Sequence, residues 1–150
     1  MIFIDTNVFY NVFFDTMFSD SARRFIEKNH KLVTSSTVLN ELIFVSVRDL
    51  CMERYGTKNY TSFKKFIVAN GYEPFEKEIE AVFRFMSARG ISLVPVNDDI
   101  NNWRGIMLKY RLLPYDALIA SSCLSSEIVQ IATFDQDFRR VDFLQLVELH

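Results

Sequence analysis

The chain reads as an α/β domain, a parallel sheet of roughly five strands with helices on both faces. Three observations predict it. Short apolar runs alternate with longer segments of helical apolar spacing throughout the 150 residues, the pattern of successive βαβ units. Four acidic residues, Asp5, Glu41, Asp116 and Asp135, stand where such a run ends or where the helix behind it begins. Hydrophobic residues make up 49% and charged residues 24%, which suits a packed core rather than disorder.

Ile2 to Ile4 is an apolar run closed by Asp5, a buried first strand. Asn7 to Phe14 suits a short helix, and Ser19 an N-cap for a helix to Lys28 with Asp20 at its positive end. Lys31 to Thr34 is the second strand. From Ser36 or Thr37 to Arg54, apolar residues at Val38, Leu39, Leu42, Ile43, Val45 and Val47 predict a mostly buried helix. Tyr55 to Tyr60 holds Gly56 and Asn59 and suits a loop, followed by a short amphipathic helix over Thr61 to Ala69 that Asn70-Gly71 breaks. Phe75 to Ala88 is helical again and ends at Gly90. Ile91 to Val96 is the third strand, Asn97 the cap of a helix to Tyr110, and Pro114 sits in the first turn of a helix to Ser125. Val129 to Phe134 and Phe143 to Val147 complete the strands. With no repeat, low-complexity tract or linker, residues 1–150 are expected to form one domain.

Composition limits the function. MIFIDTNVFY has no basic start and meets an acid at its fifth residue, so a first strand is expected there rather than a signal peptide. No uncharged apolar run approaches a membrane span. Cys51 and Cys123 lie far apart without metal-ligand spacing, which suits two apolar thiols in a reduced, cytoplasmic protein. The net charge of −2 is not that of a protein gripping long nucleic acid by charge alone. Fifteen phenylalanines exceed what so small a core is expected to absorb, and point to a subunit or partner interface, with a homodimer expected.

The four acids carry the chemistry. Parallel crossovers leave the carboxyl edge of the sheet and return at its amino edge, so strand ends and the starts of the following helices share one edge. Singly, each acid has an ordinary explanation. Asp5 can cap the helix after it, Glu41 and Asp116 can serve helix dipoles, and Asp135 and Asp137 can be turn residues. Caps need not converge, however, and these acids should, and converging carboxylates call for a cation. With oxygen ligands only, and with His30 and His150 as the sole histidines, the ion expected is Mg²⁺ or Mn²⁺ rather than zinc. Such an ion supports phosphoryl chemistry.

IDTNVF at the start, NEL on a mid-chain helix, then YDALIA and ATFDQDF, in this order and spacing, resemble the PIN domain. Within it they are most similar to the small VapC-type toxin ribonucleases of prokaryotic toxin–antitoxin pairs. The resemblance covers essentially the whole chain. It implies a three-layer α/β/α fold with a five-stranded parallel sheet, and an Mg²⁺- or Mn²⁺-dependent endoribonuclease with an RNA substrate and an antitoxin partner. By position, Asp5, Glu41, Asp116 and Asp135 match the metal-binding acids. Thr6, Asn7 and Thr133 match the polar residues that orient acids or water, with Asp137 either an outer neighbour of the ion or a turn residue. The alternative is a PIN domain that serves RNA processing as a binding or scaffold module.

Two features depart from the smallest such toxins. Tyr55 to Tyr72 looks longer, with Phe63, Lys64, Lys65 and Phe66 on it, and reads as a clip over substrate, a partner surface or a solvated excursion anchored in the core. The chain is also not basic. Candidate phosphate contacts are Arg23, Arg24, Lys64, Lys65, Arg104, Arg139 and Arg140, with Arg139-Arg140 nearest a motif acid. Phe9, Tyr10 and Tyr115 adjoin motif acids and are candidates either to stack a base or to pack in the walls.

Overall fold

The structure, a computed structural model, describes residues 1–149. Five strands, β1 (Ile2–Ile4), β2 (Leu32–Ser35), β3 (Ser92–Val94), β4 (Gln130–Ala132) and β5 (Gln145–Leu146), form one sheet in the order β3-β2-β1-β4-β5. All four pairings are parallel. Among the described residues seven helices fill the connections from β1 to β4: α1 (Thr6–Phe13), α2 (Ser19–Lys28), α3 (Ser36–Tyr55), α4 (Tyr60–Asn70), α5 (Glu76–Arg89), α6 (Ile100–Tyr110) and α7 (Pro114–Ser125). Two short 3-10 turns cover Glu73–Phe75 and Gln136–Arg140. From β1 the chain steps to β2 and β3 on one side, then returns past β1 to β4. Right-handed crossovers therefore put α1 to α5 on one face and α6 with α7 on the other. The reversal falls between β1 and β4, the place where such sheets open a crevice.

The central strands are buried because both faces are covered: Phe3, Ile4, Ile131 and Ala132 are all 0% exposed. Around them lies a main core reaching Val8, Phe25, Leu42, Ile119 and Phe138. A second, smaller core joins Val47, Leu50 and Cys51 of α3 to Phe63 of α4 and to Phe75. Of the fifteen phenylalanines, only Phe18, Phe44 and Phe83 are exposed; the others are buried or pack partly buried against one of these cores. Two cores thus absorb most of the aromatic load, and the phenylalanine count loses its force as an argument for a subunit interface. Both cysteines are free and buried, and burial pushes the Cys123 thiol up.

The helix ends differ from expectation in two places, each because a tertiary bond competes for the capping side chain. Ser19 is the first residue of α2 and not its cap. Phe18 stands at the cap position, while the Ser19 hydroxyl donates to the Phe14 carbonyl at 2.8 Å. Asn97 bonds Ser121 Oγ at 2.8 Å across to α7, and Asp99 caps α6 by accepting from the amides of Asn101 and Asn102. Gly56 (φ 69°) and Gly90 (φ 61°) close α3 and α5 in the left-handed conformation that favours glycine. Among the described residues no helix is long and apolar enough to cross a membrane.

Candidate functional site

Asp5 follows β1 directly. Its amide donates to the Ala132 carbonyl of β4 at 3.1 Å, so the residue sits at the crevice between the two strands. Its extended backbone makes it the N-cap of α1, with Oδ1 accepting from the Thr6 amide at 2.7 Å. Oδ2 accepts from Thr133 Oγ1 at 2.6 Å and from Asn7 Nδ2 at 2.8 Å. The capping role foreseen for Asp5 is therefore real, yet it occupies only part of the carboxylate's environment. Asn7 also ties the two strand ends together, accepting from the Phe134 amide at 3.0 Å while its Nδ2 lies 3.0 Å from Thr133 Oγ1. Thr133 in turn accepts from the Asp135 amide at 3.0 Å.

Glu41 comes from α3, which starts at the carboxyl end of β2 under a Ser35 cap. Thr6 Oγ1 donates to its Oε2 at 2.5 Å, so one α1 residue positions a carboxylate on another helix. Asp116 lies in the first turn of α7, behind Pro114. Asp135 caps the Gln136–Arg140 turn, accepting from the Asp137 amide at 2.8 Å.

All four acids line one open pocket of about 350 Å³, together with Thr6, Asn7, Tyr10, Val45, Arg48 and Asp49. Burial chiefly pushes the Asp5 carboxyl up to about 7, aided by Asp116 and Glu41, although its bonds from Thr133 and Thr6 work the other way. Burial also leads in pushing Asp116 up to about 6, followed by repulsion from Asp135, Glu41 and Asp137, with Arg140 opposing. Two acids made hard to ionise chiefly by burial, and further by the carboxylates around them, form the setting that a cation relieves.

The donor set fits a hard divalent ion: the charged groups are carboxylates and one guanidinium, with no histidine or cysteine in the lining. Among the described residues no three acid, histidine or cysteine side chains stand close enough to enclose an ion by themselves. Mg²⁺ and Mn²⁺ do not require enclosure, because they keep several waters and bind through one or two carboxylates.

Other candidates fall elsewhere. Asp137 is outside the lining and pairs with Arg140 at 2.9 Å, and Arg140 also donates to the Arg111 carbonyl at 3.1 Å. Arg139 lines a separate groove beside β5 with Phe134, Leu144 and Leu146. Neither arginine lines the acidic pocket, and among the described residues its sole cation is Arg48. Phe9 is fully buried and cannot stack a base, whereas Tyr10 lines the pocket and donates to Asp49 Oδ2 at 2.8 Å. Tyr115 is exposed, and its hydroxyl accepts from Asn40 at 2.9 Å. Arg48 and Asp49 escaped the sequence reading, although Glu41, Val45, Arg48 and Asp49 follow helical spacing and share a face of α3.

A parallel open sheet with a carboxylate-lined pocket at its point of reversal defines an α/β protein built to gather acids at one sheet edge. The model of the PIN domain matches residues 2–144. The chain belongs to the PIN domain family. It is 30% identical over 154 aligned positions to ribonuclease VapC2 of Methanocaldococcus jannaschii, covering 99% of this chain and 93% of that protein. To ribonuclease VapC6 of the same organism it is 26% identical, covering 98% and 96%. The crystal structure of Mycobacterium tuberculosis VapC20, a sarcin-ricin loop cleaving toxin, superposes with a TM-score of 0.59 over 96% of this chain and 97% of that one. At 17% identity, that likeness speaks for the fold alone.

Proposed function

We propose that this protein is an Mg²⁺- or Mn²⁺-dependent endoribonuclease of the VapC type, the toxin of a toxin–antitoxin pair. One observation carries the reading: Asp5, Glu41, Asp116 and Asp135, drawn from four separate segments, line one pocket where the sheet order reverses. The VapC ribonucleases similar to the chain along nearly its whole length support the choice of RNA.

When bound, such an ion would supply Lewis-acid chemistry, stabilising charge on the phosphoryl oxygen and easing loss of a proton from water. Asp5 and Asp116 are the residues assigned to hold it, with Glu41 and Asp135 placed to orient water or to hold a second ion. Thr133, Thr6 and Asn7 keep the Asp5 carboxylate in one orientation, and Thr6 does the same for Glu41. A water attacks phosphorus in line and gives its proton to a pocket carboxylate or to solvent. The bond from phosphorus to the 3′ oxygen breaks and that oxygen takes a proton from solvent, leaving a 5′-phosphate and a 3′-hydroxyl. An antitoxin would inhibit by bringing a basic side chain among the same carboxylates.

The test is cleavage of transfer, ribosomal and messenger RNA and of single-stranded DNA in Mg²⁺, Mn²⁺ or EDTA, with Asp5→Asn and Asp116→Asn purified alongside. Metal-dependent cuts on RNA that vanish in both variants are expected. Cuts that persist in the variants overturn the assignment. Stabilisation by metal with no cleavage of any RNA would favour a binding module.

A further inference from the structure

We propose that the groove between the middle of α3 and the start of α4 is a second binding subsite, taking a stretch of single-stranded RNA that leads away from the acidic pocket. The inference rests on the nuclease reading for its ligand and on separate residues for its site. This groove, about 310 Å³, is lined by Phe44, Arg48, Met52, Lys58 and Tyr60 among others. Arg48 and Asp49 line both it and the acidic pocket, so the two are continuous along one helix.

Their chemistry is complementary. The acidic pocket gathers carboxylates, whereas the groove carries Lys58 together with Arg48, whose guanidinium pairs with Asp49 at 3.2 Å. Lys58 enters no ion pair among the described residues, which leaves its ammonium for a phosphate. Apolar side chains stand open beside these cations: Phe44 is 39% exposed, Met52 57% and Tyr60 61%. Aromatic rings flanked by cations form a platform that stacks bases of any sequence while tracking the backbone.

Packing and capping hold Phe44 and the start of α4 in place. Phe44 packs edge-on against buried Phe63 at 5.8 Å, and the Arg48 guanidinium lies 5.7 Å from the Phe44 ring centroid. Tyr60 opens α4 directly after a reciprocal capping box of Asn59 and Ser62, and Ser62 Oγ also accepts from the Lys58 amide at 3.0 Å. A preformed surface of this kind loses little conformational freedom on binding.

The experiment uses Lys58→Gln, Tyr60→Ala and Tyr60→Phe, all at exposed positions outside the carboxylate machinery. Binding of a labelled single-stranded RNA about 12 nucleotides long is followed by anisotropy in the Asp116→Asn background, which is expected not to cut it. Cleavage of that RNA and of a trinucleotide is followed in the wild-type background. Lys58→Gln and Tyr60→Ala are expected to weaken Kd and raise KM for the longer RNA about tenfold, leaving kcat and trinucleotide cleavage unchanged. Tyr60→Phe keeps wild-type affinity, because the ring and not the hydroxyl does the stacking. Lys58→Gln also flattens the salt dependence of log Kd by about 0.7. Unchanged Kd in both weakening variants overturns the subsite, as it would if the groove served a protein partner instead. Loss of binding with no cleavage by any protein would leave the subsite standing and overturn the nuclease reading.

Discussion

Asp5→Asn is expected to stabilise the ion-free protein at slightly alkaline pH and to abolish its response to magnesium. Asp5 is 5% exposed, and its carboxyl is pushed up from 3.8 to about 7. Carrying the charge into the fold therefore costs roughly 4 kcal/mol once both states are ionised. The amide removes that cost but loses acceptor sites. Its nitrogen would face Asn7 Nδ2 and Thr133 Oγ1, which now donate to Oδ2. The hydroxyl can turn to accept only by giving up one of the bonds it now accepts from Asn7 and the Asp135 amide, so about 1–2 kcal/mol is forfeited. The balance, about 2 kcal/mol, amounts to a rise in Tm of about 6 °C for a domain of this size. The sign depends on pH. Between about pH 4 and pH 7 the unfolded chain has released the Asp5 proton while the folded one keeps it, so wild-type stability falls as pH rises through that window. At about pH 4 the charge cost vanishes, only the lost bonds remain, and the variant should be the less stable of the two. Thermal melts in EDTA at both ends of the window test this. Added Mg²⁺ or Mn²⁺ should raise Tm for wild type only. A variant less stable than wild type in EDTA at about pH 8 would refute the view that Asp5 is a buried charge awaiting a cation.

Thr133→Val removes the hydroxyl that donates to Asp5 and accepts from the Asp135 amide; cleavage should fall about 10- to 100-fold, with a loss near 1–3 kcal/mol in denaturant melts. The Ser46 hydroxyl is buried with no hydrogen-bond partner among the described residues, so Ser46→Ala should raise stability by about 1 kcal/mol; a fall in Tm would mean that an ordered water satisfies it. Phe75 is fully buried in the smaller core with Phe63 and Leu50. Phe75→Ala should cost about 3–5 kcal/mol, and hydrogen exchange should place the lost protection in α4 before the sheet.

What the sequence reveals and what it withholds have a common physical basis. The strands were legible because each is a short apolar run, and the acids because a strand end in a parallel sheet has a fixed destination. Fold class and the shared edge follow from those two facts. Arg48 and Asp49 were obscure because α3 is apolar around much of its circumference, and the apolar pattern alone does not say which polar positions turn toward the sheet's open edge. Ser19 and Asn97 were misplaced as caps because tertiary bonds to Phe14 and Ser121 compete for their side chains. Phe9 offered an aromatic beside a motif acid, but α1 turns it inward to full burial. Arg139 and Arg140 follow Asp135 closely in sequence, yet neither lines the pocket: Arg139 lines a separate groove, and Arg140 turns to Asp137 and the Arg111 carbonyl.

The twenty residues of α3 touch two separate interiors: Val38, Leu39 and Leu42 enter the main core, and Val47, Leu50 and Cys51 the smaller one. That division gives the protein a mechanical seam along one helix. The stretch after Tyr55 packs through Phe63, Phe66 and Ile67 on the smaller core alone, so its exposed positions, such as Lys58 and Tyr60, can change while the strands and their acids keep their own packing. Substitution on this outer surface is therefore expected to reach the carboxylates only through α3, whose buried residues lie in both interiors.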